Sequence, residues 1–224
     1  MGKLINGING PIKGKVGPTH GSSRNGNPYI KGPHKKRTTK ISKKEKGNRT
    51  RFNTAQFWLK PLLDFVREGF KGFTYKPASQ GHAAAKSYLL THAVEGEAPE
   101  FTVNPALAKV SYGSLPLPEN MRVEKYAEQE IKFSWDKDWS DALAKGAHYA
   151  DQAMLLAYDI EHKKAFMSLF GEFRKSGEQI LRVSYYKKSK IYTNGGTFHC
   201  YLAFVAADRS RQSDSEYLGT ITFS

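Results

Sequence analysis

The sequence predicts a mainly β fold with some helix, and three observations carry that prediction. After Pro99 the apolar residues fall into short runs of period two; between Phe52 and His92 they recur at helical spacing; before Phe52 the chain is basic, rich in Gly and Pro, and short of aromatics. With 39% hydrophobic and 12% aromatic residues among 224, there is material for a real core behind these patterns.

The β-like runs are Phe101 to Val103, Ala108 to Tyr112, Met121 to Tyr126, Ile131 to Trp135, Ala153 to Tyr158, Ala165 to Phe170, Gln179 to Tyr185, Thr197 to Ala206 and Tyr217 to Phe223. Nine candidate strands in about 125 residues favour an immunoglobulin-like β-sandwich or a pair of small sheets, spanning 99–224. Asn194-Gly195-Gly196 is a tight-turn signal, because those residues accept positive backbone angles. Ahead of the strands, residues 52–98 read as a helical segment. From Phe52 to Phe70 the residues Phe52, Ala55, Trp58, Leu59, Leu62, Leu63, Phe65, Val66 and Phe70 build an apolar stripe, ended by Gly69 and Gly72. Pro61 inside it removes a backbone donor, so the helix is either kinked or split there. A second helix is expected from about Ala78 to His92, with Gly96 beyond its end.

The first 51 residues form a separate arm. They hold 14 Lys or Arg against one acid, Glu45, whereas residues 52–224 hold 21 against 20, so the arm is +13 and the remainder +1. Nine Gly, four Pro and a single aromatic, Tyr29, leave too little apolar area to offset ordering entropy, so the arm alone is expected to be extended. Leu4, Ile5, Ile8, Ile12 and Val16 alternate with glycines and resemble a strand or hairpin that needs a neighbour, which makes them the candidate assembly residues. Lys35, Lys36, Arg37, Lys40, Lys43, Lys44, Lys46, Arg49 and Arg51 carry the densest charge and are the candidate polyanion-binding residues.

A search for catalytic chemistry finds little. The seven histidines have no i, i+4 pair and no Cys pair beside them, so neither a metal site nor a cofactor is expected. Phosphate-loop and nucleophile-elbow motifs are missing, and Ser213-Asp214-Ser215 has no base beside it in sequence. Those three residues are expected to satisfy backbone groups in the turn before a last strand. Glu128 with Glu130, and Asp136 with Asp138, alternate near lysines and read as a solvated edge. Trp58 and Trp135 fall on apolar faces, whereas Trp139 and Tyr185-Tyr186 are candidates for exposure. Cys200, the only cysteine, sits in an apolar run and reads as a small core filler. The chain is therefore read as non-catalytic.

Several segments together resemble an uncharacterised family from Bacteroidetes bacteria: Gly7 to Gly17, Gly21-Ser22-Ser23, Phe57 to Leu62, Lys109 to Leu115, Phe133 to Asp136, Asp151 to Met154, and Ser213 to Gly219. The resemblance covers nearly the whole chain and implies no activity, substrate or catalytic residue. Arg24 and Asn25, where the family pattern has an aromatic, and the lysines Lys187, Lys188 and Lys190 depart from it.

The expectation that follows is a structural subunit that self-assembles into a filament, sheath, coat or similar through its arm, as a homo-oligomer in contact with DNA, RNA or another polyanion. A monomeric, sequence-independent nucleic-acid-binding protein is the alternative, and a carbohydrate or surface-receptor binding module the third. No apolar stretch is long enough for a membrane-spanning helix, and the N-terminus does not read as a signal peptide. Cytoplasmic synthesis is expected, with the cytoplasm or an assembled particle as final location.

Overall fold

Short-range turns shape the N-terminal stretch. In the computed structural model, which describes residues 3–4, 6, 10–24, 26–33, 35–73, 81–137, 146–187, 190–192 and 195–223, the chain divides into two units, Met1–Ser42 and Lys43–Ser224. Unit 1 is an antiparallel meander of β1 (Lys3–Leu4), β2 (Ile12–Val16), β3 (Thr19–Arg24) and β4 (Asn27–Lys31), in the order β1-β2-β3-β4. Two-residue connections close the last two hairpins, with Val16 opposite Thr19 and Arg24 opposite Asn27. The stretch expected to resemble a strand or hairpin is thus paired into β1 to β4, its connections between β2, β3 and β4 being set by near neighbours. The described residues after β4, 32–33 and 35–42, form neither strand nor helix.

A correction concerns where the arm ends. Helix α1 runs Lys43–Leu59, nine residues ahead of the expected start at Phe52, and belongs to unit 2. Ser42-Lys43-Lys44-Glu45 matches the capping-box pattern, and the acid falls in the first turn, where the helix dipole favours it. Pro61 splits the helical stripe: a 3-10 turn at Lys60–Leu62 is followed by α2 (Leu63–Gly69). Helix α3 is Gly81–His92.

Unit 2 is layered. After the hairpin β5 (Val94–Glu97) and β6 (Glu100–Val103) come β7 (Arg122–Ala127), β8 (Glu130–Ser134), β9 (Gln152–Asp159), β10 (Lys164–Ser168) and β11 (Glu178–Arg182). A small hairpin, β12 (Tyr185–Lys187) with β13 (Lys190–Tyr192), precedes β14 (Gly196–Val205) and β15 (Glu216–Phe223). One sheet has the order β11-β8-β7 and the other β10-β9-β14-β15. Leaving out the small hairpins, the first, second and fifth strands therefore share one sheet and the third, fourth, sixth and seventh the other, an immunoglobulin-like arrangement. Eight of the nine expected strands are present; the run Ala108 to Tyr112 forms none.

The four-stranded sheet is covered on both faces. Ala153, Leu155 and Ala157 of β9, with Phe198, Cys200, Leu202 and Phe204 of β14, pack against Ile131, Phe133 and Leu181 of the three-stranded sheet. Met154, Leu156, Tyr158, Tyr201, Ala203 and Val205 face the other way, onto Trp58, Leu59, Leu62, Phe65, Val66, Phe70 and Leu89 of the helical layer. The helical segment is therefore one layer of the same unit as the strands and shares a core with them. That double burial explains why β9 and the second half of β14 read as continuous apolar runs where a half-exposed strand would alternate.

Candidate functional site

Three of the residues expected to mediate assembly, Leu4, Ile12 and Val16, lie in the strands of unit 1. Leu4 lies in β1 opposite Ile12 of β2, which is half-buried, and Val16 ends β2 largely exposed; Ile5 and Ile8 lie outside the described residues. Among the described residues of this unit Gly21 alone is buried. A Cβ there would stand 2.0 Å from the Ile12 carbonyl oxygen, so only glycine lets the strands approach this closely. Tyr29 and Ile30 of β4 are exposed, Ile30 by 60%. Nine lysines and arginines and no acid fall within residues 1–42, a charge of +9, against 26 basic and 21 acidic residues, +5, in 43–224. A sheet of this kind has strands and register but no core, and isolated hairpins without an apolar face are marginal in water.

The expected polyanion-binding residues are divided between the two units. Lys35, Lys36, Arg37 and Lys40 are exposed in the irregular stretch after β4, whereas Lys43, Lys44, Lys46, Arg49 and Arg51 lie on α1 in unit 2. Arg49 pairs with Glu45 at 2.8 Å, and the Arg51 guanidinium donates to Leu90 O at the end of α3. Arg51 therefore ties two helices together.

In unit 2 two of the segments that resemble the family meet, Lys109 to Leu115 and Ser213 to Gly219. The Lys109 to Leu115 stretch runs beside Ser213-Asp214-Ser215, and side chains take over the bonds a ladder would make. Ser215 Oγ accepts from Val110 N (3.0 Å), Asp214 Oδ1 from Gly113 N (3.1 Å), and Ser213 Oγ from Phe204 N (2.7 Å). The Ser111 hydroxyl faces Ser213 O at 2.7 Å, and Ser215 N donates to Ser111 O (3.0 Å). Tyr112 N reaches Gly69 O (3.0 Å) at the end of α2. This explains why Ala108 to Tyr112 is not a strand. The serines and the aspartate do satisfy backbone groups, but largely across about a hundred residues of chain, where a local turn had been expected.

Beside this junction is a cleft of about 480 Å³ lined by Phe73, Lys109, Tyr112, Ser114, Arg211 and Asp214, among others. Its charged groups are committed. Lys109 pairs with Asp214, and its ammonium lies 5.7 and 5.1 Å from the Tyr88 and Tyr112 ring centres. Burial acts to lower the Lys109 pKa, but the hydrogen bond and charge of Asp214 outweigh it and hold the ammonium above its ordinary value. A lysine so held is a poor nucleophile.

The remaining candidates for chemistry behave similarly. Burial pushes the Cys200 thiol up to about 12, which suits a core filler. Asp159 is buried and ties its own β-turn, accepting from His162 N at 3.0 Å with the His162 ring at 2.6 Å. Glu130 pairs with Arg182, while Asp138 and Trp139 lie outside the described residues. Trp58 and Trp135 are core residues, as expected. Among the described residues no group of three His, Cys, Asp or Glu is placed to hold a metal ion, and no helix is long and apolar enough to cross a membrane.

A feature the sequence reading missed is Arg174, fully buried at the end of the sandwich where the β10–β11 connection runs. Its Nη2 donates to Pro116 O (2.6 Å), its Nε lies 3.6 Å from Asp151 Oδ2, and its guanidinium sits 4.5 Å over the Phe204 ring. Its backbone carries two more ties, Arg174 N to Asp151 O (2.7 Å) and Trp135 Nε1 to Arg174 O (2.7 Å). One residue thereby fastens three connecting segments. Asp151 precedes an apolar strand in sequence, but nothing local reveals its distant cationic partner.

With this geometry in hand, a comparison of families finds a model that matches residues 11–219, that of a family of unknown function, DUF6266. No curated protein and no solved structure matches the chain.

Proposed function

We propose, from the premise that the chain belongs to DUF6266, that it is a non-catalytic structural subunit which self-assembles through its N-terminal arm. The observation that carries this reading is unit 1 itself: four paired strands, a charge of +9, and no buried core among its described residues. Such a sheet gains what it lacks when a neighbouring copy covers its apolar residues or extends its edge, where main-chain hydrogen bonds supply affinity. Exchange of arms head to tail generates rings when it closes and filaments when it does not.

The test is sedimentation velocity of the full chain against a truncation that begins at Lys43, the first residue of α1. The full chain is expected to form oligomers that the truncation does not. Equal monomeric behaviour of both across protein concentration would overturn the assembly role.

A second reading has its own observation, the exposed run Lys35, Lys36, Arg37 and Lys40. If these four residues lie along phosphates, log affinity for duplex DNA falls with log salt at a slope of about −4. A flat salt response would remove this contact while leaving assembly standing.

A further inference from the structure

The immunoglobulin-like order of strands brings three connections to one end of the sandwich: β8–β9, β10–β11 and β14–β15. Contacts between them are explicit. Lys175 N donates to Tyr149 O (3.4 Å), Arg209 reaches Leu169 O (2.9 Å) and Gln152 Oε1 (2.6 Å), and Arg211 Nη2 reaches Gly146 O (2.5 Å). On this end stand Phe170, 76% exposed, Phe173, 41%, and Tyr149, 45%. Each ring has a cation against it: Arg209 lies 4.3 Å over Phe170, and the Lys175 ammonium 5.7 Å from both Tyr149 and Phe173.

We propose that this end of the sandwich is a stacking platform for single-stranded nucleic acid. Unpaired bases offer flat π-faces to exposed rings, and phosphates meet Lys175 and Arg211, while Arg209, paired with Glu68 at 3.7 Å, holds the Phe170 ring in place. The β10–β11 connection, which carries Phe170 and Phe173, is fastened by hydrogen bonds, which lowers the entropy cost of binding. Gly171 N donates to Ala153 O (3.1 Å), Ala153 N to Glu172 O (2.9 Å), and Glu172 N to Gln179 Oε1 (2.9 Å). Arg174, pinned beneath, fixes the same connection. A neutral glycan fits less well, because the polar groups that would read hydroxyls are already engaged. Asp208 accepts from Ser210 twice, Gln152 is held by Arg209, and Gln179 bonds both Glu172 and Ser168. Among the described residues the three connections carry the carboxylates Asp136, Asp151, Glu172, Asp208 and Asp214, with Asp151 facing Arg174, and Glu68 of α2 pairs with Arg209. The site is separate from the arm and rests neither on assembly nor on the arm's charge.

The test is fluorescence anisotropy of the full chain with a labelled oligothymidylate of about twenty nucleotides and with a duplex of equal length. Stacking needs unpaired bases, whereas charge alone binds both forms. Phe170→Ala with Phe173→Ala is expected to weaken oligothymidylate binding by roughly tenfold per ring and to leave duplex binding within about twofold. Phe170→Trp, which keeps a ring, is expected to bind as the parent does. Because both phenylalanines are exposed, an unchanged melting temperature confirms that the variants fold. Parental affinity in the double variant overturns the proposal, as do equal losses for single strand and duplex, or no oligothymidylate binding by the parent. Heparin binding lost with the same rings, without oligothymidylate binding, overturns it in favour of an anionic glycan.

Discussion

Replacing Ser213 by alanine measures how much its buried hydroxyl stabilises the connection between β14 and β15. Ser213 is fully buried; its hydroxyl accepts from Phe204 N and donates to Asp214 O, both at 2.7 Å. Removing it leaves the Phe204 amide inside the protein without that acceptor, which costs about 1–3 kcal/mol, and loses a second hydrogen bond of about 1 kcal/mol. Ser213→Ala is therefore expected to destabilise by about 2–4 kcal/mol. In urea, with a slope of about 3 kcal/mol per molar for a unit of this size, the midpoint falls by about 1 M. Ser210→Ala is the control, since Ser210 is exposed and bonds only to nearby Asp208; it is expected to stay within about 0.5 kcal/mol. A Ser213→Ala midpoint indistinguishable from that control would refute a stabilising role for this buried hydroxyl.

Other outcomes follow from the same geometry. Gly113→Ala places a Cβ 2.0 Å from Gln212 O, so the backbone must shift, with an expected loss of about 3 kcal/mol in the same urea assay. His199 lies within 2.9 Å of the Tyr217 hydroxyl, and burial, opposed by the Asp159 charge, holds its pKa below 6.5. The folded state thus binds fewer protons than the unfolded one, so stability present above pH 6.5 is lost as pH falls from there through the folded value. His199→Gln should flatten part of that acid slope, leaving the share of His82, whose pKa burial also lowers. Cys200 should react with a thiol reagent only on unfolding, since burial pushes its thiol up to about 12; rapid labelling of the native chain would contradict this. A truncation beginning at Phe52 should melt below one beginning at Lys43, because it removes half of α1 and the tie from Arg51 to Leu90.

The fate of particular segments shows where sequence reading reaches its limit. The break at Pro61, the split of the helical stripe and eight strands were legible, because each is set by residues within a few positions of one another. So was the burial of Trp58, Trp135 and Cys200. Two local signals were present and overlooked: the capping pattern Ser42 to Glu45, and Asn25-Gly26, which lies between β3 and β4 and favours a tight hairpin. Phe170 was read as part of a strand, but β10 ends at Ser168, which carries that ring out of the sheet and onto the surface.

Alone, the sequence determined the strongly basic arm, the helices before the strands and the sandwich class, since charge, periodicity and turn chemistry are written in near neighbours. Tertiary structure alone decided that Lys109 to Leu115 is clamped by Ser213 to Ser215, that β9 and β14 are buried on both faces, and that Tyr149, Phe170 and Phe173 share one end. These features pair groups far apart in the chain. Which distant groups meet is set by how the layers stack, and no short stretch of sequence encodes it.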